Sequence, residues 1–510
     1  MRKRFIKTSV CLSLLLLSAI FFGLIGCQSN DNPTPALNIE AIAQNLVADL
    51  SKQGYEVRYG YPALFGIEQC NDAIETMGNC YGNNPAAPYI TPFVPSWPEE
   101  FVDPATKNAF GKPKDGYSSI YRLDPREAII ILALLPPPSK YFGFQTYIFT
   151  REGVINTNDD IYKWLLQFNN PVILKQFFDT SPNPKRLRIF GSMGNSNNNV
   201  VVENQSGTAF DQERFFIITP DQFMEKNMKA ALLKAGVPRA EHIFVEPVSS
   251  AYNIGLTEEA DDFTSLTRYA MPQDDDKAAT WRTKLPIVVL RVREKNVTHQ
   301  PEPYPPVVLD TRTANPEDWL KNDLQRLITE IKLDRGQLNA TVLPVYDLQT
   351  AVDLVGPDCY QRGMNCLGDT QDTSYQGTLN LSLDNNEVYA VIGTLATTTG
   401  NATYVNLSLY RASTLWGVKS ISDVNLQNTA KDYVGRVNNT DKFYLHYISR
   451  DCQKFVSILP ACTSVTEDMV PKGDFLKIAQ RNYIRPLTKR GPDSKQTLSP
   501  FIITFDGNKL

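Results

Sequence analysis

Two stretches of the chain repeat one pattern of apolar and polar positions. Glu127–Leu135 (EAIIILALL) and Glu387–Leu395 (EVYAVIGTL) are nearly unbroken runs of β-branched and apolar residues, as expected of strands buried on both faces. Each run meets a breaker, PPPSK and ATTTGN respectively. Pro136, Pro137 and Pro138 exclude a helix or a central strand there. Large apolar residues then alternate with small or polar ones over Tyr141–Phe149 and Thr403–Tyr410, the pattern of half-buried strands. Laid together without a gap, Leu123–Arg151 and Leu383–Arg411 share Leu, Asp, Glu, Leu and Arg at 123/383, 124/384, 127/387, 135/395 and 151/411. A Gly-Val turn follows in both, at Gly153 and Gly417. Upstream of each lies Cys-x-Gly-x6-Tyr, running from Cys80 to Tyr89 and from Cys366 to Tyr375. The recurring order predicts a duplication. Its two copies should form equivalent β-hairpins, each with a Cys corner pinning a loop against its sheet edge and Tyr89 or Tyr375 as packing anchor. The excess chain in the first copy, Phe93–Gly116, is rich in Pro and Gly and is expected to be a surface loop.

Between the copies the period changes. Arg214–Val248 predicts strand, helix, strand, with Thr219 as N-cap, Pro220 at the first helical position and Gly236 at the stop. Phe223, Met224, Met228, Ala231, Leu232 and Ala235 form the inner stripe. A second helix is expected from Asn315-Pro316 to about Leu333, with Trp319, Leu320, Leu324, Leu327, Ile328 and Ile331 inward. A third covers Ile39–Lys52 and stops at Gly54. The fold class expected is α+β: two related, sandwich-like β-rich units with an α/β insert between them. The chain divides into residues 1–26, a tether over 27–37, a first β-rich unit with its N-terminal helix over 38–165, the insert over 166–298, a Pro-rich linker and helix over 299–345, and a second β-rich unit over 346–510.

The N-terminus adds a compartment. Arg2, Lys3, Arg4 and Lys7 precede an apolar run of secretory length, SVCLSLLLLSAIFFGL, the layout of a signal peptide. It ends in LIGCQSN, where Gly26 precedes Cys27 and Leu24 stands two residues before Gly26. This resembles the lipobox of bacterial lipoproteins. The resemblance implies cleavage before Cys27, attachment of diacylglycerol and further acyl chains such as palmitate to that residue, and stable anchoring by the combined chains. Gln28 after the Cys, by the same resemblance, favours the outer membrane over the inner one. Cleavage would remove four basic residues and no acidic one, taking the formal net charge from −4 to −8. With no dense Lys/Arg stripe, nucleic acid is not an expected partner; the membrane and an envelope glycan or protein are.

Of the eight Cys, Cys11 falls in the signal peptide and Cys27 in the lipidation site. The other six form three local couples, Cys70–Cys80, Cys359–Cys366 and Cys452–Cys462, expected as disulfides in an exported chain. No Cys-x2-Cys spacing or adjacent His supports zinc, and neither a metal nor a cofactor is expected.

Candidate chemistry is sparse. The three His are His242, His299 in the linker, and His446 in a strand-like run. Ser196 ends a Gly- and Asn-rich loop that faintly resembles the Gly-x-Ser block of esterases, with Asn195 where that family has Asp. Glu127 and Glu387 coincide between the copies. They are candidate catalytic acids, or strand-start residues bonded to the backbone. Asp369 and Asp372 form a loop pair. Glu258, Glu259, Asp261 and Asp262 form an acidic cluster, and Arg481, Arg485, Lys489 and Arg490 a basic segment, both expected to be solvated. The function expected is a lipid-anchored envelope protein that binds or scaffolds. The alternative is an envelope hydrolase acting on a glycan, lipid or ester in a cleft between the units.

Overall fold

The computed structural model describes residues 38–352 and 354–510. The signal region and Cys27 lie outside them. Ten strands build the first half: β1 (Tyr55–Tyr59), β2 (Tyr61–Phe65), β3 (Tyr89–Pro95), β4 (Glu127–Leu134), β5 (Ser139–Glu152), β6 (Arg186–Ser192), β7 (Glu213–Thr219), β8 (Ile243–Pro247), β9 (Asp262–Pro272) and β10 (Ile287–Glu294). Ten more build the second: β11 (Thr341–Pro344), β12 (Tyr346–Asp347), β13 (Thr373–Gly377), β14 (Glu387–Thr394), β15 (Tyr404–Arg411), β16 (Trp416–Ser422), β17 (Phe443–Ser449), β18 (Cys462–Ser464), β19 (Leu476–Tyr483) and β20 (Phe501–Asp506). Two-residue strands at Tyr117–Ser118 and Asn197–Asn198 are extra to the first half.

The sheets establish the duplication. In the first half one sheet runs β1-β10-β4-β7-β8 and the other β2-β3-β9-β5-β6. In the second the orders are β11-β20-β14-β17-β18 and β12-β13-β19-β15-β16. Every strand therefore has its counterpart ten places later in the chain. Senses agree too: all pairings are antiparallel except β7 with β8 and β17 with β18, both parallel. Each half is a sandwich. Ile129, Ile131, Phe142, Phe144, Phe216 and Phe263 fill the first core, and Tyr389, Val391, Val405, Leu407, Ile448 and Ile478 the second.

The predicted hairpins need one correction. β4 and β5 lie in different sheets, as do β14 and β15. The Pro-rich breaker and its counterpart are arches across the sandwich, not turns within a sheet. The alternating strands are not half-buried as expected: Tyr141–Thr150 of β5 and Tyr404–Tyr410 of β15 are buried throughout, like β4, because a second layer covers their other face. The strand–helix–strand run is present as β7, a helix at Gln222–Ala235 and β8. Its strands both join the first half's β4 sheet instead of forming one of their own.

Helices cover the outer sheet faces. Ile39–Lys52 and Gln222–Ala235 pack on each other over the β4 sheet, and Lys321–Asp334 covers the β14 sheet. The first ends as expected, with Gly54 at φ 91°. The N-cap of the second is Asp221, which accepts from the Phe223 amide, while Thr219 Oγ1 donates to the Glu127 carbonyl. The third begins with a 3-10 turn at Asp318–Leu320, which leaves Trp319 exposed. The expected surface loop is in part interior: Trp97, Ala109 and Phe110 are buried.

Candidate functional site at the junction of the halves

All three expected disulfides are present: Cys70–Cys80, Cys359–Cys366 and Cys452–Cys462. The Cys corners do not pin their own sheet edges; each clasps the other half. The Cys80 and Gly82 amides donate to the carbonyls of Thr414 and Leu415, at 2.8 and 2.9 Å. The Cys366 and Gly368 amides donate to those of Ile189 and Phe190, at 2.7 and 2.8 Å. One residue on, Asn83 Oδ1 accepts from the Gly417 amide at 2.8 Å, and Asp369 Oδ1 from the Ser192 amide at 2.7 Å. The backbone follows the same path at both corners. Tyr81 and Leu367 have φ of 57° and 55°, and the following Gly82 and Gly368 have 63° and 66°. A Cβ on Gly368 would lie 2.5 Å from the Phe190 ring, so glycine is required there.

A pair of buried arginines completes the clasp. Arg268 on β9 stands opposite Tyr89 on β3, and Arg481 on β19 opposite Tyr375 on β13. Arg268 lies over the rings of Tyr89 and Tyr147, Arg481 over those of Tyr375 and Tyr410. Arg268 Nη2 donates to the Gly368 carbonyl at 2.9 Å, and Arg481 Nη2 to the Gly82 carbonyl at 2.5 Å. Each guanidinium thus stacks within its own half and bonds into the other. Burial works against both charges, and the surrounding tyrosines hold both arginines above the ordinary range. Aromatic faces stabilise such desolvated cations. Arg481 was expected to be solvated, and Arg490 is buried as well. So are Asp261 and Asp262, the latter paired with Arg186.

The candidate catalytic residues do not converge. Ser196 is buried, and its Oγ donates to the Phe144 carbonyl at 3.4 Å. Glu127 is enclosed and accepts from Trp97 Nε1, Arg291 Nε and the Asp124 amide. Burial raises its pKa although Arg291 opposes the shift. Glu387 accepts from the Asp384 amide at 2.8 Å and lies beside Ser382 and Tyr389. Both are strand-start residues that close a turn on the backbone. Asp369 also accepts from Ser192 Oγ, the Gly356 amide and Gln371 Nε2, and burial pushes its carboxyl up to about 6. Asp372 bonds to Tyr141, Thr370 and Asn198. This pair ties the halves together. His446 Nε2 meets Thr463 Oγ1 at 2.8 Å, and burial lowers its pKa to about 4. His299 sits between Asp221 and Glu294, and His242 beside Arg239. Among the described residues no group of three or more His, Cys, Asp or Glu is placed to hold a metal ion.

One apolar cavity, of about 90 Å³, lies at the junction. Its floor is the outward face of β13 and β19, where Gly377 and Ala479 are direct partners. Its walls are Trp164, Leu165, Ile173 and Phe177 from the first half and Leu348, Val352 and Leu354 from the second. Lys477 and Arg481 flank Ala479 on the floor. Lys477 Nζ donates to Gln176 Oε1 at 3.0 Å, and desolvation lowers its pKa to about 8. Among the described residues neither cation has a carboxylate partner in an ion pair. Sequence reading missed Lys477 altogether, because a lysine on a strand of alternating residues reads as solvent-facing.

Fold and site together define a duplicated, disulfide-bonded α+β protein with an apolar, cation-bearing cavity where its halves meet. No family model and no curated protein matches the chain. Among solved structures, the chain is similar to an uncharacterized protein from Burkholderia cenocepacia. The identity is 11% and the TM-score 0.37, over 92% of this chain and 88% of that one; so distant a likeness carries no argument here. Among the described residues, no helix is long and apolar enough to cross a membrane.

Proposed function

We propose that the chain is an acylated protein of the bacterial envelope, held at the outer membrane through Cys27, whose folded part binds a ligand and does not transform it. The observation that carries the reading is the junction cavity. It has mostly apolar walls and a few fixed polar groups, the make-up of a ligand site. Ser196, Glu127 and Glu387 are each engaged in structural bonds away from it, so they supply no nucleophile–base pair there. The lipobox-like LIGCQSN supports the anchor.

Two measurements test this. Cys27→Ser should abolish acylation and release the protein from outer-membrane fractions; unchanged fractionation and processing would overturn the anchor. Native mass spectrometry after incubation with envelope extract should find a noncovalent adduct that persists chemically unaltered. Steady appearance of a hydrolysed product, lost in Ser196→Ala, Glu127→Gln or Glu387→Gln, would overturn the binding reading in favour of a hydrolase.

A further inference from the structure

The two halves differ at a set of equivalent positions beside the clasp, and the difference is the cavity. Because Arg268 faces Tyr89 and Arg481 faces Tyr375 in the same register, Leu266 corresponds to Ala479, Thr91 to Gly377 and Thr264 to Lys477. In the first half Leu266 is buried in one cluster with Phe65, Phe110, Phe149 and Phe190. In the second, side chains are trimmed to Ala and Gly at two adjacent positions and a lysine is placed beside the resulting hollow.

We propose that this hollow is the binding site for a small amphipathic carboxylate, its apolar tail over Gly377 and Ala479 and its anionic head on the Lys477 ammonium. The proposal rests on the binding reading above and names its ligand class. Three features select that class. The walls are aliphatic and aromatic, so a tail gains free energy by leaving water. Among the described residues Lys477 donates to a single neutral amide oxygen, Gln176 Oε1, leaving donor capacity for an anion. Arg481 adds a second positive charge on the same face, while Asp369, the carboxylate among the lining residues, is taken up by Ser192, Gly356 and Gln371. A neutral or cationic ligand would leave this excess of positive charge unmatched at a desolvated site, which is costly.

The test is a titration of the mature, acylated chain in nanodiscs with [1-13C]octanoate, read by the carboxyl 13C resonance, with empty nanodiscs as blank. Saturable binding is expected, displaced far less by 1-octanol or octylammonium than by unlabelled octanoate. Lys477→Met should weaken octanoate by roughly tenfold or more, as for loss of a charge-assisted hydrogen bond, and leave 1-octanol unchanged. Lys477→Arg should restore most of the affinity. Ala479→Leu, which copies the first half, should remove both ligands without loss of fold by circular dichroism. If 1-octanol competes as well as octanoate and Lys477→Met changes nothing, the ligand class is overturned while a binding cavity stands. If neither binds, and Ala479→Leu leaves the native mass-spectrometric adduct in place, the cavity is overturned as a site. If no adduct forms at all, the binding reading falls with it.

Discussion

The same glutamate begins the same strand in both halves and meets opposite surroundings. Glu127 is sealed from solvent and held by Arg291 and Trp97; Glu387 is half-exposed and has only hydroxyls and a turn amide. Arg291 is itself fully buried and also bridges Glu100 and the carbonyls of Pro95 and Arg122. Position 291 pairs with 129 in the first half, and its counterpart 504 pairs with 389 in the second. The second half has Thr504 there, and among the described residues no cation pairs with Glu387. Backbone and turn survived the divergence of the halves, while the side-chain network did not. What a duplicated fold retains is its main-chain hydrogen bonding, which any side chain permits; charged networks need several residues to change together.

The largest effect should expose that contrast. Glu127→Gln should destabilise the protein by about 3–5 kcal/mol, because it breaks a buried ion pair and leaves Glu100 to balance Arg291. Glu387→Gln should cost about 1 kcal/mol or less. Urea unfolding measures both, and equal costs would undo the contrast. Next come the clasp arginines. Arg268→Ala and Arg481→Ala should each cost about 3 kcal/mol, from a lost charged hydrogen bond and an orphaned glycine carbonyl. The two values should agree to within about 1 kcal/mol, given the scatter among such interactions. A large cost on one side only would break the internal symmetry.

A third comparison uses pH. The first half buries Glu246, bonded to Asn197 and the Thr146 amide, with its pKa pushed up by burial to about 8 from 4.5. The second buries His446, lowered to about 4 from 6.5. The stability that Glu246 contributes is full below pH 4.5 and is lost as pH rises towards 8, because the unfolded chain gives up its proton first. The stability that His446 contributes is full above pH 6.5 and is lost as pH falls towards 4. Glu246→Gln should therefore flatten the stability profile between pH 4.5 and 8, and His446→Gln the profile between 6.5 and 4. Thermal melts across pH would show whether either slope survives its substitution. A small effect on stability concerns the cavity floor. Ala479→Leu should change it by no more than about 1–2 kcal/mol, since filling space and crowding neighbours oppose each other. Gly377→Thr is the matching change on β13. Together they should give the second half the closed floor of the first, with loss of octanoate binding as the readout.

Much of this was legible in the chain itself. Period and breakers located the strands of the repeated segment, the Ile39–Lys52 helix ended at Gly54, and the local Cys couples paired as their spacing suggested, because each signal depends on neighbours a few residues away. Glu127 and Glu387 coincided in the alignment, and bonding to their own turns was one of the two roles read for them. The tertiary structure alone decided where long-range partners fall. An arch and a hairpin look alike in sequence, since both are strand, breaker, strand; the choice lies in which strands, distant in the chain, flank each one in its sheet. A Cys corner carries no mark of whose strand it will clasp, because its amides bond to carbonyls that every residue owns. Arg481 read as part of a solvated basic segment and Lys477 drew no reading at all, and only the packing of two sheet faces desolvates them. The cavity is subtler still: Gly377 and Ala479 lie about a hundred residues apart, and neither is unusual until register places them side by side.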